Sequence, residues 1–534
     1  MDTYLLIIWA VIFLGYFIYK KATKNLKFFE KHGIPYEKPL PFFGNSLKLL
    51  MKKENMIESI VNPYEKFKNS FVYGVFGMNI PNFVISDPEL IKQITIKDFD
   101  SFVNHDKSFN EDVDKFSSKM LFTLVDEKWR HMRTVLSPIF TSSKMKMMFG
   151  ILSECANEFV EHHEEKAKHG KVIVNCVETY PRYTVDGIST AVLGFKGDCI
   201  KNEDSKLYKF AMRMRKPTFI TNIKIMIFLI SRWFYVKLGL QMTLKEVYDF
   251  FYNAIIKVMN EREEKGIFRP DVVQLLLQAR QGQLQKESDI NEKELSNFSA
   301  NIEYDTGAQN KKITNWTDEH YMAQGFLFFA AGFDTTNTLL QITSYCLAKN
   351  KEVQDELIRE IDDVLQELDA KPITYEALHK MKYLDMVISE ALRIWPPAFA
   401  TSRQCNKDYD LKLKDGKVIK IKDGDLILIP TYAIHHDERF FTNPEKFDPL
   451  RFSDENKESI AVGSYIPFGL GPRACIGSRF ALMEAKLLIF NVMSKFTMEV
   501  CDKTTEKLEL VPSMTEVTFK NGIFVEYRPR KKNN

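Results

Sequence analysis

The chain has 534 residues, of which 45% are hydrophobic, so it is long enough to bury a large core. Its formal net charge is only +3, which excludes the strongly basic balance expected of a nucleic-acid-binding protein. The seven cysteines are odd in number and scattered without paired spacing. This pattern argues against a disulfide framework and favours a reduced, cytosol-facing protein.

An uncharged and mostly apolar segment lies at residues 3–19, and it just reaches the length that a membrane-spanning helix needs. Lys20, Lys21 and Lys24 follow directly, and such an excess of lysine is expected on the cytosolic side of a membrane. A cleaved signal peptide would need a basic start and a small-residue cleavage site, and this segment has neither. We therefore expect residues 1–22 to form a single-pass membrane anchor.

A basic and proline-rich stretch separates this anchor from the body of the chain. Pro35, Pro39 and Pro41 stiffen residues 23–44, as in a semi-rigid linker. We interpret this stretch as a hinge and residues 45–534 as one large domain on the cytosolic side.

The large domain is expected to be mostly α-helical with a small β-rich region, an α+β fold. Short β-like runs near residues 71–85 and 418–430 favour the strands of a small sheet. Residues 281–313 are polar and contain few aromatic side chains, so we interpret them as a solvated connection.

A second apolar region covers residues 218–240, but Lys224, Arg232 and Lys237 interrupt it. These charges would be costly inside a bilayer, so a second transmembrane helix is not expected. A surface segment that dips into the bilayer accounts better for the pattern. Ordinary packing against the core is the alternative.

Two pairs of residues have helical spacing. Trp129 and Arg133 are four residues apart, and Glu390 and Arg393 are three apart, so each pair shares one helix face. Most such pairs in proteins are surface contacts of little energetic value. Their meaning here depends on the motifs that surround them.

A long helix is predicted for residues 314–350. Leu327, Ala331 and Thr335 recur every fourth residue and therefore lie on one of its faces. Asp334 precedes Thr335, so a carboxyl and a hydroxyl are adjacent in an otherwise apolar stretch. Such a pair is suited to holding and passing on a proton.

One cysteine lies in a loop of small residues at positions 468–477, with an arginine two positions before it. A helical run follows at once, so Cys475 precedes a helix N-terminus, where free N–H groups favour a thiolate. Gly469, Gly471 and Gly477 allow the backbone to bend tightly and to approach a flat ligand closely.

These motifs, in this order, resemble those of the cytochrome P450 family. The patterns are W-x-x-x-R at 129–133, [AG]-G-x-[DE]-T-[TS] at 331–336, E-x-x-R at 390–393 and F-G-x-G-x-R-x-C-x-G at 468–477. The stretches at 129–146 and 383–398 look closest to animal microsomal members related to family 3. The resemblance covers nearly the whole chain and implies the cytochrome P450 fold.

The resemblance also implies a role for each matching residue. Haem b would be the cofactor, with Cys475 as the axial ligand of its iron. Asp334 and Thr335 would be the catalytic pair, the carboxyl supplying protons and the hydroxyl acting beside the reacting oxygen. The other residues expected to bind haem are Trp129, Arg133, Ala331, Arg403, Phe468 and Arg473.

Glu390, Arg393 and Arg451 would form a buried charged network beside the haem, with a structural role. Where family-3 members commonly have Asn-Arg, this chain has Asn104-His105, which leaves open whether His105 contacts the haem. The candidate lining of the substrate pocket is Leu327, Ala330, Ala398 and Phe399.

The implied reaction is a haem-thiolate monooxygenation. One oxygen atom of O2 enters a lipophilic substrate, which could be a xenobiotic, a steroid or a fatty acid. The chain has no credible flavin or nicotinamide site, so NADPH–cytochrome P450 reductase is the implied electron donor, with cytochrome b5 as a second candidate. The implied location is the endoplasmic reticulum membrane, in contact with membrane lipid. The basic residues expected to meet the acidic face of the reductase are Lys128, Arg130, Lys144, Lys146, Arg479 and Lys486.

Two other functions stay open. Some haem-thiolate relatives are isomerases or dehydratases that act on peroxides without a reductase, and they often lack the acid–alcohol pair. A non-catalytic haem sensor would keep Cys475 but has no need of Asp334 and Thr335. The presence of this pair favours the monooxygenase.

Overall fold

The computed structural model describes residues 2–216, 218–284, 316–513 and 517–530. Most of the connection predicted at 281–313 lies outside the described residues. The helices, in chain order, are α1 (Asp2–Thr23), α2 (Phe28–Lys31), α3 (Leu47–Leu50), α4 (Met56–Phe67), α5 (Pro88–Lys92), α6 (Asp126–Leu136), α7 (Ser142–Lys166), α8 (Cys176–Ile188), α9 (Lys206–Arg215), α10 (Phe219–Ile230), α11 (Arg232–Lys237), α12 (Lys245–Phe251), α13 (Val258–Lys265), α14 (Val272–Arg280), α15 (Asp318–Lys349), α16 (Lys351–Leu368), α17 (Tyr375–Lys380), α18 (Lys382–Ile394), α19 (Thr431–His435) and α20 (Ser478–Lys495).

The strands form three small sheets. The first has the order β1-β2-β7-β4, the second β3-β9-β8 and the third β5-β6. In the first sheet β2 runs parallel to β7, and the other pairs are antiparallel. The strands are β1 (Val72–Gly77), β2 (Ile80–Ile85), β3 (Val172–Asn175), β4 (Thr401–Gln404), β5 (Tyr409–Lys412), β6 (Val418–Ile421), β7 (Leu426–Ile429), β8 (Phe496–Glu499) and β9 (Phe524–Pro529).

The two β-like runs of the sequence therefore correspond to real strands. The run near residues 71–85 forms β1 and β2, and the run near 418–430 forms β6 and β7. The parallel register of β2 and β7 pairs Phe83 with Ile427 and joins distant parts of the chain. The prediction of a mostly helical fold with a small β region is confirmed.

The helix α15 is the centre of the larger hydrophobic core. Asp318 and Glu319 in its first turn complement the positive end of the helix dipole. Its C-terminal half is buried, and it packs against α8, α18 and α20. A second, smaller core lies beneath the first sheet and includes Phe29, Phe76 and Phe83.

The N-terminal segment is helical throughout α1. Its side chains Tyr4, Trp9 and Phe13 are exposed. Within the described residues, however, no helix combines the length and the apolar character needed to cross a membrane. The N-terminal transmembrane helix is thus not confirmed.

The apolar region at residues 218–240 forms α10 and α11, and much of it faces outward. Phe219 is 79% exposed and Trp233 is 71% exposed, whereas Tyr235 is buried. The alternative of ordinary core packing does not agree with these exposures.

Candidate active site

The cysteine loop, residues 468–477, lies directly before α20. The N–H of Cys475 donates to the carbonyl of Phe468 at 2.8 Å, and the N–H of Ala474 donates to that of Gly471 at 2.8 Å. Gly471 has φ +79°, a conformation that glycine adopts without strain. The loop is therefore a compact turn that presents Cys475 at the start of α20.

Cys475 differs from the other cysteines in its surroundings. Its side chain is exposed, whereas Cys155, Cys176, Cys199, Cys346 and Cys405 are buried. Protein nevertheless surrounds the thiol, and this burial raises the pKa of Cys475, while the Gly477 N–H and Arg133 act in the opposite direction. An exposed thiol surrounded by protein faces an internal hollow, as a haem ligand must.

Two buried guanidinium groups lie in or beside this loop: Arg473 belongs to it, and Arg403 on β4 donates to the carbonyl of Leu470 at 3.3 Å. Arg403 donates to the carbonyl of Ser402 at 2.9 Å, and its Nε has no hydrogen-bond partner among the described residues. Arg473 donates to the carbonyls of Val103 and Leu124, both at 2.7 Å. Burial lowers the pKa of Arg403 to about 10.

Neither Arg403 nor Arg473 forms an ion pair with a carboxylate in the part of the chain that the structure describes. Buried cations without a counter-charge are costly, so this region is built for an anion that the chain itself does not supply. The two propionates of haem b fit that requirement, since arginine binds carboxylates with its forked donors.

The predicted haem-binding residues of α6 belong to the same cluster. Trp129 is buried on α6, and its ring lies 4.1 Å from the guanidinium of Arg473. The charge of Arg133, one turn further along, acts on both Arg473 and Cys475. Trp129, Arg133, Arg473 and Cys475 are thus brought together, as the resemblance implies.

His105 lies beside this cluster. Its Nδ1 donates to the carbonyl of Ser402 at 2.9 Å, and its ring stacks on Phe122. Burial and the charges of Arg403 and Arg473 hold the pKa of His105 well below its usual value, so the ring is neutral at physiological pH. Whether the ring contacts haem stays a prediction.

The predicted haem-facing side of α15 is accessible within an otherwise buried helix. Leu327 and Ala330 are half-buried, and Ala331 and Thr335 are exposed, while Phe329 on another face is fully buried. The small side chain of Ala331 leaves space beside the helix for a flat group. The Thr335 hydroxyl donates to the carbonyl of Ala331 at 2.9 Å.

Asp334 lies beside Thr335 on this part of α15. Burial raises the pKa of its carboxyl, and the positive charge of Arg215 opposes that rise. The Nε of Arg215 lies 2.9 Å from Asp334 Oδ1. The sequence motif identified Asp334 but gave no sign of Arg215, which belongs to a different helix.

The predicted charged network is present and buried. Arg393 donates from Nε and Nη2 to the two oxygens of Glu390 at 2.7 and 2.8 Å. Arg451 donates to Glu390 Oε1 at 3.3 Å, and the N–H of Asp448 donates to the same oxygen at 2.9 Å. Glu390 thus holds α18 against the loop that precedes the cysteine turn.

The remaining pocket residues have mixed environments. Ala398 is exposed, and Phe468 is half-buried in the cysteine loop. Phe399 is buried, and its ring packs at 6.0 Å from that of Tyr432. Their roles as pocket lining or haem contacts stay predictions.

Sequence reasoning missed one buried acid behind α15. Glu484 lies on α20, is fully buried, and has no hydrogen-bond partner for either carboxylate oxygen among the described residues. Its neighbours include Gly187 and Thr336. An acid in the middle of the apolar run of α20 is the sequence signal that could have identified it.

Two of the basic residues expected at the reductase surface are in fact buried. Lys486 is 2% exposed and pairs with Asp385 at 2.5 Å. Arg130 is also buried and pairs with Asp100 at 2.7 Å. Both cations are buried and already paired with a carboxylate, so they are not available to another protein and these two expectations are wrong.

Comparison with known proteins decides the family. The family model described as Cytochrome P450 matches residues 34–522. The chain is 38% identical to cytochrome P450 9e2 of Blattella germanica over 98% of this chain and 97% of that relative. It is 36% identical to the probable cytochrome P450 9f2 of Drosophila melanogaster (95% and 96%) and 32% identical to cytochrome P450 3A41 of Mus musculus (96% and 93%).

The chain belongs to the cytochrome P450 family. It is accordingly an enzyme of the haem-thiolate monooxygenase type, and haem b is its cofactor. The likeness to both the insect relatives and the mouse protein supports its assignment to the family-3-like microsomal P450 enzymes.

Proposed function

We propose that this P450 inserts one oxygen atom of O2 into a lipophilic substrate, with electrons from NADPH delivered by NADPH–cytochrome P450 reductase. The observation that carries the proposal is the accessible face of α15, where Ala331 leaves space and Thr335 and Asp334 stand side by side. A peroxide isomerase or a haem sensor would not require this pair. Haem b, when bound, supplies the oxygen-activating chemistry.

Residues of the chain would bind the haem, transfer protons and line the substrate pocket. Cys475 would provide the axial thiolate, and Arg403 and Arg473 would bind the propionates and orient the ring. Asp334 would take a proton from solvent and pass it to the Thr335 hydroxyl, which would release its own proton to the reacting oxygen. The candidate lining supports a lipophilic substrate, since Leu327, Ala330, Ala398 and Phe399 are apolar and suit a xenobiotic, a steroid or a fatty acid.

We also propose a membrane setting. Residues 1–22 would anchor the protein in the endoplasmic reticulum membrane, residues 23–44 would act as a hinge, and residues 45–534 would be the cytosolic catalytic domain. The exposed α10 and α11 would touch membrane lipid. The exposed Lys128 and Lys146 and the half-buried Lys144 and Arg479 are left as candidate contacts for the reductase, and cytochrome b5 is a second candidate donor.

The first experiment tests the haem ligand. In the reduced carbon-monoxide difference spectrum, wild-type protein should give the thiolate-type band, and Cys475→Ser should lose it. Cys501→Ser, which alters a cysteine outside the hollow, should keep the band. An unchanged spectrum in Cys475→Ser would rule out the ligand assignment.

The second experiment tests the reaction class. Protein reconstituted with reductase is screened by mass spectrometry against a panel of lipophilic compounds, with NADPH consumption and hydrogen peroxide release followed in parallel. Thr335→Ala should release more peroxide per NADPH and form less product, because proton delivery is impaired. Peroxide rearrangement without NADPH would favour the isomerase, and a normal spectrum with no turnover of any compound would favour the sensor.

A further inference from the structure

Arg215 links three distant parts of the chain at the active site. It is the last residue of α9, its Nε lies 2.9 Å from Asp334 Oδ1 in the middle of α15, and its Nη2 donates to the carbonyl of Val517 at 3.0 Å. Its side chain is only 17% exposed. The guanidinium is therefore fixed from two sides while it faces the carboxyl.

The contact with Asp334 is mainly one of opposite charges. Oδ1 is buried and accepts no hydrogen bond of regular geometry from any described residue, although Arg215 is close to it. An opposite charge at this separation favours the ionised form of a carboxyl, and partial burial weakens the screening by water. Burial raises the pKa of Asp334, and the charge of Arg215 opposes that rise by favouring the carboxylate form.

The other charged groups packed around this part of α15 have their own partners or face elsewhere. Asp186 of α8 accepts from the N–H groups of Cys199 and Ile200. Glu484 of α20 lies beside Thr336, and the α18 pair of Glu390 and Arg393 is internally satisfied. Arg215 is the charged residue that acts on the Asp334 carboxyl.

We propose that Arg215 is a positioning residue of the monooxygenase reaction, which holds the Asp334 carboxylate ready to receive a proton from solvent and pass it to the Thr335 hydroxyl. The inference rests on the proposed proton role of Asp334. One proton enters at the carboxylate from solvent, one passes from the carboxyl to the Thr335 hydroxyl, and that hydroxyl releases its own proton to the reacting oxygen, so Asp334 and Thr335 return to their starting charges. Arg215 itself keeps its proton throughout.

The test compares Arg215→Gln with Arg213→Gln in reductase-reconstituted holoenzyme. Arg213 lies on the same helix and pairs with Glu246 in solvent, so its variant removes the same charge away from the site. Hydrogen peroxide released per NADPH consumed is followed from pH 5.5 to 9, first without substrate and then with the best compound of the panel. The carbon-monoxide difference spectrum verifies that each variant retains its haem site.

Arg215→Gln should raise the fraction of NADPH that is lost as hydrogen peroxide several-fold at neutral pH. In the plot of this fraction against pH, the limb that depends on Asp334 should move upward by about 1–3 pH units. The direction follows because loss of the positive charge lets burial raise the pKa of Asp334. Arg215→Lys, which restores the charge, should return the limb towards wild type, and Arg213→Gln should leave it unchanged.

A double-variant cycle separates this inference from the proposed function. Arg215→Gln should add no further loss in an Asp334→Asn background, because the two residues act on one step. If Asp334→Asn impairs coupling but Arg215→Gln behaves like Arg213→Gln, the inference is overturned and the proposed function stands. Independent, additive losses, or an Asp334→Asn variant with unchanged coupling, would also overturn the inference, and the latter would remove the proton role of Asp334 as well.

Discussion

Gly471 determines how closely the cysteine loop can approach the rest of the protein. Its φ is +79°, and a Cβ built at this position would lie 1.8 Å from the carbonyl oxygen of Thr95. Only a residue without a side chain meets both conditions. The conformation of the loop that carries Cys475 therefore depends on a backbone-to-backbone contact.

We expect Gly471→Ala to prevent the loop from reaching its native position and to abolish most of the thiolate-type spectrum. The left-handed conformation alone costs about 1–3 kcal/mol for a non-glycine residue, and the contact with Thr95 cannot relax through a flexible side chain. Gly424→Ala is the matched control, since Gly424 has φ +90° but open space around it. Equal loss of haem in the two variants would show that backbone conformation, rather than the close contact, is responsible.

His163 is a buried histidine that should make stability depend on pH. Its Nδ1 donates to the carbonyl of Phe159 at 2.7 Å, and burial lowers its pKa to about 4. In the unfolded chain the pKa would be about 6.5. Because the unfolded state then binds the proton first, stability is unaffected above that value and falls by roughly 3 kcal/mol between about pH 6.5 and 4.

Urea unfolding of His163→Gln at a series of pH values should therefore show a smaller loss of stability on acidification than wild type. His169→Gln, at an exposed position in the same region, serves as the control and should follow the wild-type curve. Identical pH dependence of His163→Gln and wild type between pH 6.5 and 4 would contradict the assignment.

At the scale of elements, Glu390 joins α18 to the loop at residues 443–452. It accepts hydrogen bonds from Arg393, Arg451 and the N–H of Asp448, and Arg393 also donates to the carbonyls of His435 and Pro444. Directional hydrogen bonds can hold an irregular loop in one position, whereas apolar contacts have no direction. The network therefore fixes the loop at residues 443–452 against α18.

Glu390→Ala should lower the free energy of unfolding by about 3–5 kcal/mol, because it leaves the buried Arg393 and the half-buried Arg451 without their counter-charge. The measurement is urea unfolding of the holoprotein, followed by far-ultraviolet circular dichroism. Lys382→Ala breaks the exposed pair of Lys382 and Asp454 and should cost at most about 1 kcal/mol. Similar losses in the two variants would mean that the buried network contributes no more than a surface ion pair.

The sequence predicted those helices and strands whose hydrophobic spacing is visible within a short stretch of the chain. Helical spacing gave α15 and α20, and β-like runs gave β1, β2, β6 and β7. The strand β3 was missed, because it has four residues and its partner β9 lies near the other end of the chain. The pairing of Arg215 with Asp334 was also missed, because it joins residues far apart in the chain and depends on how α9 packs rather than on a motif.

At the scale of the whole molecule, the interior includes positive charge that the chain does not neutralise. Arg403 and Arg473 are buried; burial lowers the pKa of Arg473, and repulsion from Arg403 and Arg133 adds to that shift. The motifs predicted each arginine separately. Their shared lack of a carboxylate partner appears only once β4, α6 and the cysteine loop have assembled around them.

This arrangement predicts opposite effects of one substitution on two forms of the protein. Arg403→Met removes a buried, uncompensated cation and should raise the thermal midpoint of the haem-free protein. The same variant should lose haem about 10–100-fold faster to apomyoglobin, because a charged hydrogen bond to a propionate is worth about 1.5–3 kcal/mol. Arg393→Met, which strands the Glu390 carboxylate, should instead destabilise both forms. If Arg403→Met destabilises both forms equally, its bonds to the Ser402 and Leu470 carbonyls are its main role, and the propionate assignment fails.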